Sequence, residues 1–248
     1  MSKQKELKIF NLSECLKFLE SISKINESAI LTTSSSQDGR SSLLSSLVCS
    51  SDNTLFLYSE FVGCTADINT DYNIPDIKKL NRVLSTIDLN EIRLITNTNN
   101  FEYKSSALKF KYHLYEEGFL TKPPVNLEKI KNFEYHINFT INKDKLSDII
   151  RASSFATDTN KVYLYTENNR LLAELTDRAR HNTDAISLDL GDANYELSPL
   201  PLNLDHIKLL NVINSTINFG INTAYGVTVI DICNDLIKLK YVLTSLTQ

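Results

Sequence analysis

Apolar residues return every three or four positions from Leu12 to Ile22, placing Leu12, Cys15, Leu16, Leu19 and Ile22 on one face. That spacing predicts an amphipathic helix. It recurs much later with Leu146, Ile149, Ile150 and Ser153. Elsewhere the period drops to two. LFLYSEF (Leu55–Phe61), KVYLYTE (Lys161–Glu167), RLLAELT (Arg170–Thr176), AISLDLG (Ala185–Gly191) and GVTVIDI (Gly226–Ile232) alternate or are rich in β-branched residues. Half-buried antiparallel strands read this way. Asn11, Asn73, Asn142 and Asn203 each stand just before a helical pattern, where an asparagine side chain accepts a hydrogen bond from a free backbone N–H. Pro75 is expected in a first helical turn, where its missing N–H does no harm. The serine-rich stretch Thr32–Ser46 reads as a hairpin turned by Asp38 and Gly39.

These patterns occur twice. NIPDIKKLN (Asn73–Asn81) and NLDHIKLLN (Asn203–Asn211) agree at five places, 130 residues apart. At nearly the same offset, Asp38–Arg40 meets Asn168–Arg170 and Leu55–Phe61 meets Ala185–Gly191. Phe110–Leu114 likewise meets Leu239–Leu243, and Phe10–Leu19 meets Ile141–Ile150. Ordered matches with so little drift predict a tandem duplication, with copies at 1–118 and 135–248 and a connector at 119–134. The connector holds the Pro123–Pro124 pair and reads as extended. Each copy is expected to be an antiparallel sheet with two helices packed on one face, giving an α+β chain of two similar domains.

The polar sides of the four helical patterns carry cations. Taking 100° per residue from Leu12, the first apolar face centres near ~330°, with Lys17 and Lys24 near ~140° and ~120°. Lys78 and Arg82 oppose Ile77 and Leu80, Arg151 opposes Leu146 and Ile150, and Lys143 and Lys145 lie towards the edges of their face. Lys208 is the clear cation of the fourth pattern. The four stretches hold nine Lys or Arg against six Asp or Glu, a balance of +3. The rest of the chain therefore carries −7, since the whole carries −4. An acidic protein with locally basic helices points to polyanion contact through those helices.

The 248 residues, 42% hydrophobic and 23% charged, suit a sizeable core. Cys15, Cys49, Cys64 and Cys233 form no CxxC pair and have no histidine at metal spacing, so reduced thiols are expected and no metal or other cofactor is implied. The start, MSKQKELKIF, lacks an apolar run of signal-peptide length. No stretch approaches the ~20 apolar residues of a membrane span. A cytoplasmic protein without membrane partners is expected. His113, His136, His181 and His206 are scattered, and no HExxH, GxSxG, GxxxxGK[ST] or GxGxxG is present. Asp189 and Asp192 flank a glycine turn rather than suggesting a metal site. No catalytic residue is identified, and a non-enzyme is expected.

The duplicated helix–strand pattern, Lys145–Leu172 and the closing strand Leu236–Leu243 resemble the DNA polymerase sliding clamps. The likeness is to the trimeric type of large tailed bacteriophages, archaea and eukaryotes, including proliferating cell nuclear antigen. The resemblance implies a processivity factor: a homotrimeric ring, helices inward, that encircles duplex DNA without sequence specificity and tethers the replicative DNA polymerase. A clamp-loader ATPase and, as in some phage relatives, transcription factors are further implied partners. It places Lys17, Lys24, Lys78, Lys79, Arg82, Lys143, Lys145, Arg151 and Lys208 towards DNA. It places Val125, Gly226, Val242 and Thr244 at a pocket for partner peptides; Gly226 stands where many members have proline, and Val242 where they often have tyrosine. Lys109, Lys111 and His113 would meet Ala185 and Ser187 of the next subunit, pairing Ala107–Leu114 with roughly Asn182–Leu190. The alternative reading is a non-enzymatic structural or scaffolding protein built from duplicated β-rich domains.

Overall fold

The computed structural model describes residues 5–35, 42–180 and 183–246. The Asp38–Gly39 turn expected of the serine-rich hairpin lies outside them, as do His181 and Asn182. The chain divides into two compact units, Met1–Lys131 with Asn234–Leu239, and Asn132–Cys233 with Lys240–Gln248.

The first unit runs β1 (Lys5–Ile9), α1 (Leu12–Ser23), β2 (Ala29–Ser35), β3 (Ser42–Cys49), β4 (Leu55–Thr65), β5 (Asp71–Ile74), α2 (Ile77–Leu84), β6 (Ile92–Asn97), β7 (Asn100–Lys104) and β8 (Lys109–His113), then a short α3 (Leu127–Lys131). Its strands pair antiparallel in the order β8-β7-β6-β1-β4, with β3 on β4, β2 on β3 and β5 on β2. The second unit repeats the order: β9 (Ile137–Ile141), α4 (Lys143–Ala152), β10 (Lys161–Glu167), β11 (Arg170–Leu175), β12 (Ile186–Asp192), β13 (Leu200–Asn203), α5 (Leu204–Lys208), β14 (Ile217–Asn222), β15 (Val227–Cys233) and β16 (Ile237–Thr244). Here β9, β14 and β15 form one ladder, and β12-β11-β10-β13 another. The matched sequence windows fall on α1 and α4, β4 and β12, and β8 and β16.

Burial of one helix side against the sheet holds each unit together. In α1, Leu12, Cys15, Phe18, Leu19 and Ile22 are buried, and Phe18 lies 5.9 Å from the Phe61 ring of β4. The spacing had put Leu16 on that face. Leu16 is only half-buried, and Phe18 replaces it at 0% exposure. The buried face thus centres near ~300° rather than ~330°, because a phenylalanine offers more apolar area to a sheet than a leucine at the flank. The Leu16 carbonyl instead accepts Asn81 Nδ2 of α2 at 3.2 Å, where the two helices touch. In α4, Leu146, Ile149 and Ala152 are buried, while Ile150 and Ser153 are half-buried.

Asn11, Asn142 and Asn203 cap α1, α4 and α5 through their side chains. Asn73 does not cap α2. It lies in β5 opposite Ile30, and Asp76 takes the cap by accepting the Lys79 N–H at 2.7 Å. Pro75 is the cause: it disfavours helical backbone in the residue before it, so Ile74 stays in the strand and the helix begins at Ile77, after the proline rather than through it. The connector also differs from the extended segment expected. Asn126 accepts the Glu128 N–H at 2.9 Å, starting α3, and Ile130 is buried. Lys131 then covers the Tyr58 ring at 5.0 Å.

Truncating Phe18 to alanine should lower the unfolding free energy by about 3–5 kcal/mol, and Leu16→Ala should cost less, as read by urea denaturation. Acid sensitivity follows from Glu14, which accepts Lys17 Nζ at 2.6 Å and Asn234 Nδ2 at 2.9 Å. Burial acts to raise its pKa, but those hydrogen bonds and the Lys17 charge outweigh it and hold the carboxyl below its ordinary value. A depressed folded pKa means the stabilisation is complete above the unfolded value and is lost as pH falls through the folded one. Glu14→Gln should therefore flatten the fall in stability below about pH 5, measured by denaturation across an acid pH series.

Candidate functional site

The nine helix cations divide by what surrounds them. On α1, Lys17 Nζ lies 2.6 Å from Glu14 and Lys24 Nζ 2.9 Å from Glu20. On α4, Arg151 pairs with Asp148, and Lys145 Nζ donates to the Asp189 carbonyl of β12 at 2.6 Å. On α5, Lys208 Nζ is 3.0 Å from Asp205. Each of these helix carboxylates stands three or four positions before its cation, a spacing that brings side chains together on a helix. Lys78, Lys79 and Arg82 of α2 are exposed and have no acidic partner among the described residues, and half-buried Lys143 has none either. Lys143, Lys145 and Lys17 are half-buried or edge positions rather than fully turned to solvent.

Several strands have a single pairing partner among the described residues, β5, β9 and β13 as well as the two expected to meet a neighbouring subunit. β8 pairs only with β7, and β12 only with β11. Lys109, Lys111 and His113 project from β8 as exposed positions, while Tyr112 between them is buried and donates to the Asp76 carbonyl at 2.6 Å. Ala185 and Ser187 are exposed at the start of β12. Further along β12, Asp189 and Asp192 are both engaged by Arg170. The Arg170 hydrogen bond is the main cause that holds the Asp189 carboxyl below its usual value. These two carboxylates are thus occupied by a guanidinium, and no group of His, Cys, Asp and Glu among the described residues is placed to hold a metal ion. Nor is any helix among them long and apolar enough to cross a membrane.

Of the residues expected to receive partner peptides, Gly226, Val242 and Thr244 lie in the second unit and Val125 in the first. On β16 the alternation leaves Val242 and Thr244 on the outward side of a strand whose Tyr241 and Leu243 are buried. Ser245 N–H donates to the Gly226 carbonyl at 2.7 Å, joining the end of that strand to the β14–β15 turn. Gly226 sits at φ +58°, and an added Cβ would lie 2.5 Å from Ser245 Oγ. Proline, fixed near φ −65°, cannot adopt that backbone, which explains the glycine there. Beside it Tyr225 is 78% exposed, an apolar surface that the strand periodicity passed over because it sits in the turn. Its signal was an aromatic between Asn222 and Gly226, two turn-forming residues. Val125 belongs to the first unit, with its N–H on the Pro123 carbonyl at 2.7 Å.

No protein-family model matches the sequence, and no curated protein does. Solved structures match over the whole chain. Proliferating cell nuclear antigen of A. fulgidus, solved with the C-terminal region of FEN-1, aligns at TM-score 0.75 and 11% identity over 98% of this chain and 99% of its own. Its counterpart from Entamoeba histolytica aligns at TM-score 0.73 and 10% identity, over 98% and 99%. The H. pylori beta clamp aligns at TM-score 0.74 and 15% identity over 100% of this chain but 68% of its own length. With its twice-repeated order of helices and antiparallel strands, the chain has the fold of the DNA sliding clamps.

Proposed function

We propose that three copies of this chain join head to tail, β8 of one against β12 of the next, into a ring that encircles duplex DNA and tethers a DNA polymerase. The single observation that carries the reading is the repeated β-α-ββββ-α-βββ order in both units, matching a clamp over 98% of the chain and 99% of that clamp's length. The open edges of β8 and β12, one in each unit, suit a heterologous contact that closes on itself and removes both. The edges are also unlike in charge, lysines on β8 and aspartates on β12.

The mechanism is mechanical. A closed ring is retained by topology, so it needs little affinity for any single phosphate. Each neutralised phosphate would add salt-dependent grip and slow sliding. The pairing of most helix cations with neighbouring acceptors supports such a weak hold. A clamp-loader ATPase would open and close the ring. Polymerase, other DNA-processing enzymes and transcription factors would dock peptides on Val125, Gly226, Val242 and Thr244, with Tyr225 as an added apolar contact. A solvated protein of this kind acts in the cytoplasm.

Light scattering should give a mass near three times the 28.1 kDa of one chain. The loaded protein should stay on closed circular DNA and leave once the circle is cut, and equal retention on both forms would rule out encirclement. Val242→Asp should abolish polymerase capture in a pull-down while leaving the assembled mass unchanged, since a charge in a desolvated peptide contact goes unpaired.

A further inference from the structure

We infer that the turn at residues 115–119 of one copy receives the loop at 178–180 of the next, a second contact beside the β8–β12 ladder. This rests on the ring reading and adds to it a joint made by side chains rather than by backbone. Tyr115 and Phe119 are 42% and 69% exposed, and their rings stack at 5.4 Å. The turn that holds them is anchored. Tyr115 N–H donates to the Asn73 carbonyl at 2.9 Å, and Phe119 N–H to the Glu116 carbonyl at 3.3 Å. Gly118 closes it at φ +89°, a backbone open to glycine. Glu116 and Glu117 stand exposed between the two rings, and neither carboxylate has a cationic partner among the described residues. Two aromatic rings and two free carboxylates on one short turn suit arginine, which stacks on aromatic faces and pairs with carboxylates.

The second unit offers such arginines at the matching place. Arg178, Ala179 and Arg180 are exposed just after β11. Arg178 lies 4.9 Å over the Tyr163 ring and 4.8 Å over the Tyr165 ring, and its Nε donates to Glu174 at 2.7 Å. Its guanidinium is already ordered, so little side-chain freedom is lost on contact. Arg180 Nε lies 3.2 Å from Asp177, yet its side chain remains 65% exposed. With Lys161, 3.3 Å from Asp177, this corner holds three cations against the two carboxylates of Glu174 and Asp177. The turn at 115–119 carries two carboxylates and no cation. Antiparallel pairing of 107–114 with roughly 182–190 fixes the approach. Its continuation past Leu114 brings Glu117 and Phe119 alongside Arg180 and Arg178 of the next copy. Opposite charge and exposed aromatic area fall together where the ladder ends, and a second copy of this chain is the occupant that those charges fit.

The test is sedimentation equilibrium over a dilution series, which reads the concentration at which half of the assembled protein has dissociated. Glu117→Arg and Arg180→Glu should each raise that concentration about tenfold, since like charges then face each other across the contact. The chain carrying both reversals should return to within about threefold of the parent, as expected of two side chains that act on one another. Phe119→Ser should weaken assembly in the same direction. Reversals that leave the midpoint unmoved overturn the contact, while a persisting trimer mass leaves the ring standing. Single reversals that weaken assembly with no recovery in the double variant also overturn it, because the two side chains then act apart. Loss of polymerase capture by Phe119→Ser at unchanged assembly overturns it too, and assigns the aromatic pair to a partner protein. A parent chain that is monomeric at every concentration removes the ring and this contact together.

Discussion

The constraint on which the rest depends is the covering of each sheet by helices that are apolar on one side only. Burying a Leu, Ile or Phe side chain contributes about 1.5–3 kcal/mol, and α1 alone buries Leu12, Phe18, Leu19 and Ile22. Once those residues face the sheet, the helical period leaves Lys17 and Lys24 no place but the far side. The same holds for Lys78 and Arg82 opposite Ile77 and Leu80. The placement of cations is therefore a consequence of core packing, and a surface suited to polyanions appears as a by-product of folding.

Much of the fold was legible because period-two and period-3.6 patterns survive in this chain. Three of four asparagine caps were also readable from position alone. What escaped reading depended on competition between neighbours. Asn73 and Asp76 both suit a cap, and Pro75 decides between them by holding Ile74 extended. Leu16 and Phe18 both flank the α1 face, and the larger side chain takes the sheet. The connector hid a helical turn because its prolines dominate a local reading, while Ile130 gains burial only from residues far away in sequence. For the candidate site, the cations were visible but their partners were weighed only as a sum. The Glu14–Lys17 and Asp205–Lys208 spacings were there to be read. Gly226 could not be assigned its left-handed backbone without Ser245 beside it.

The two units share their element order but differ in detail. α2 spans Ile77–Leu84, whereas its counterpart α5 spans only Leu204–Lys208. In the second copy a double-asparagine turn, Asn168 and Asn169 both at positive φ, closes the β10–β11 hairpin, the geometry favoured by two-residue hairpins. Arg170 follows directly and ties down the β12 aspartates.

The lysines on β8 have a further consequence for the newly made chain. A bare strand edge invites the same edge of a second molecule, and antiparallel self-pairing of β8 about its centre would set Lys111 against its own duplicate, with Lys109 facing His113. Like charges directly opposite are unfavourable. Homotypic dimers and the fibres that grow from them are thereby discouraged during synthesis, when copies are crowded and no partner edge has yet been found.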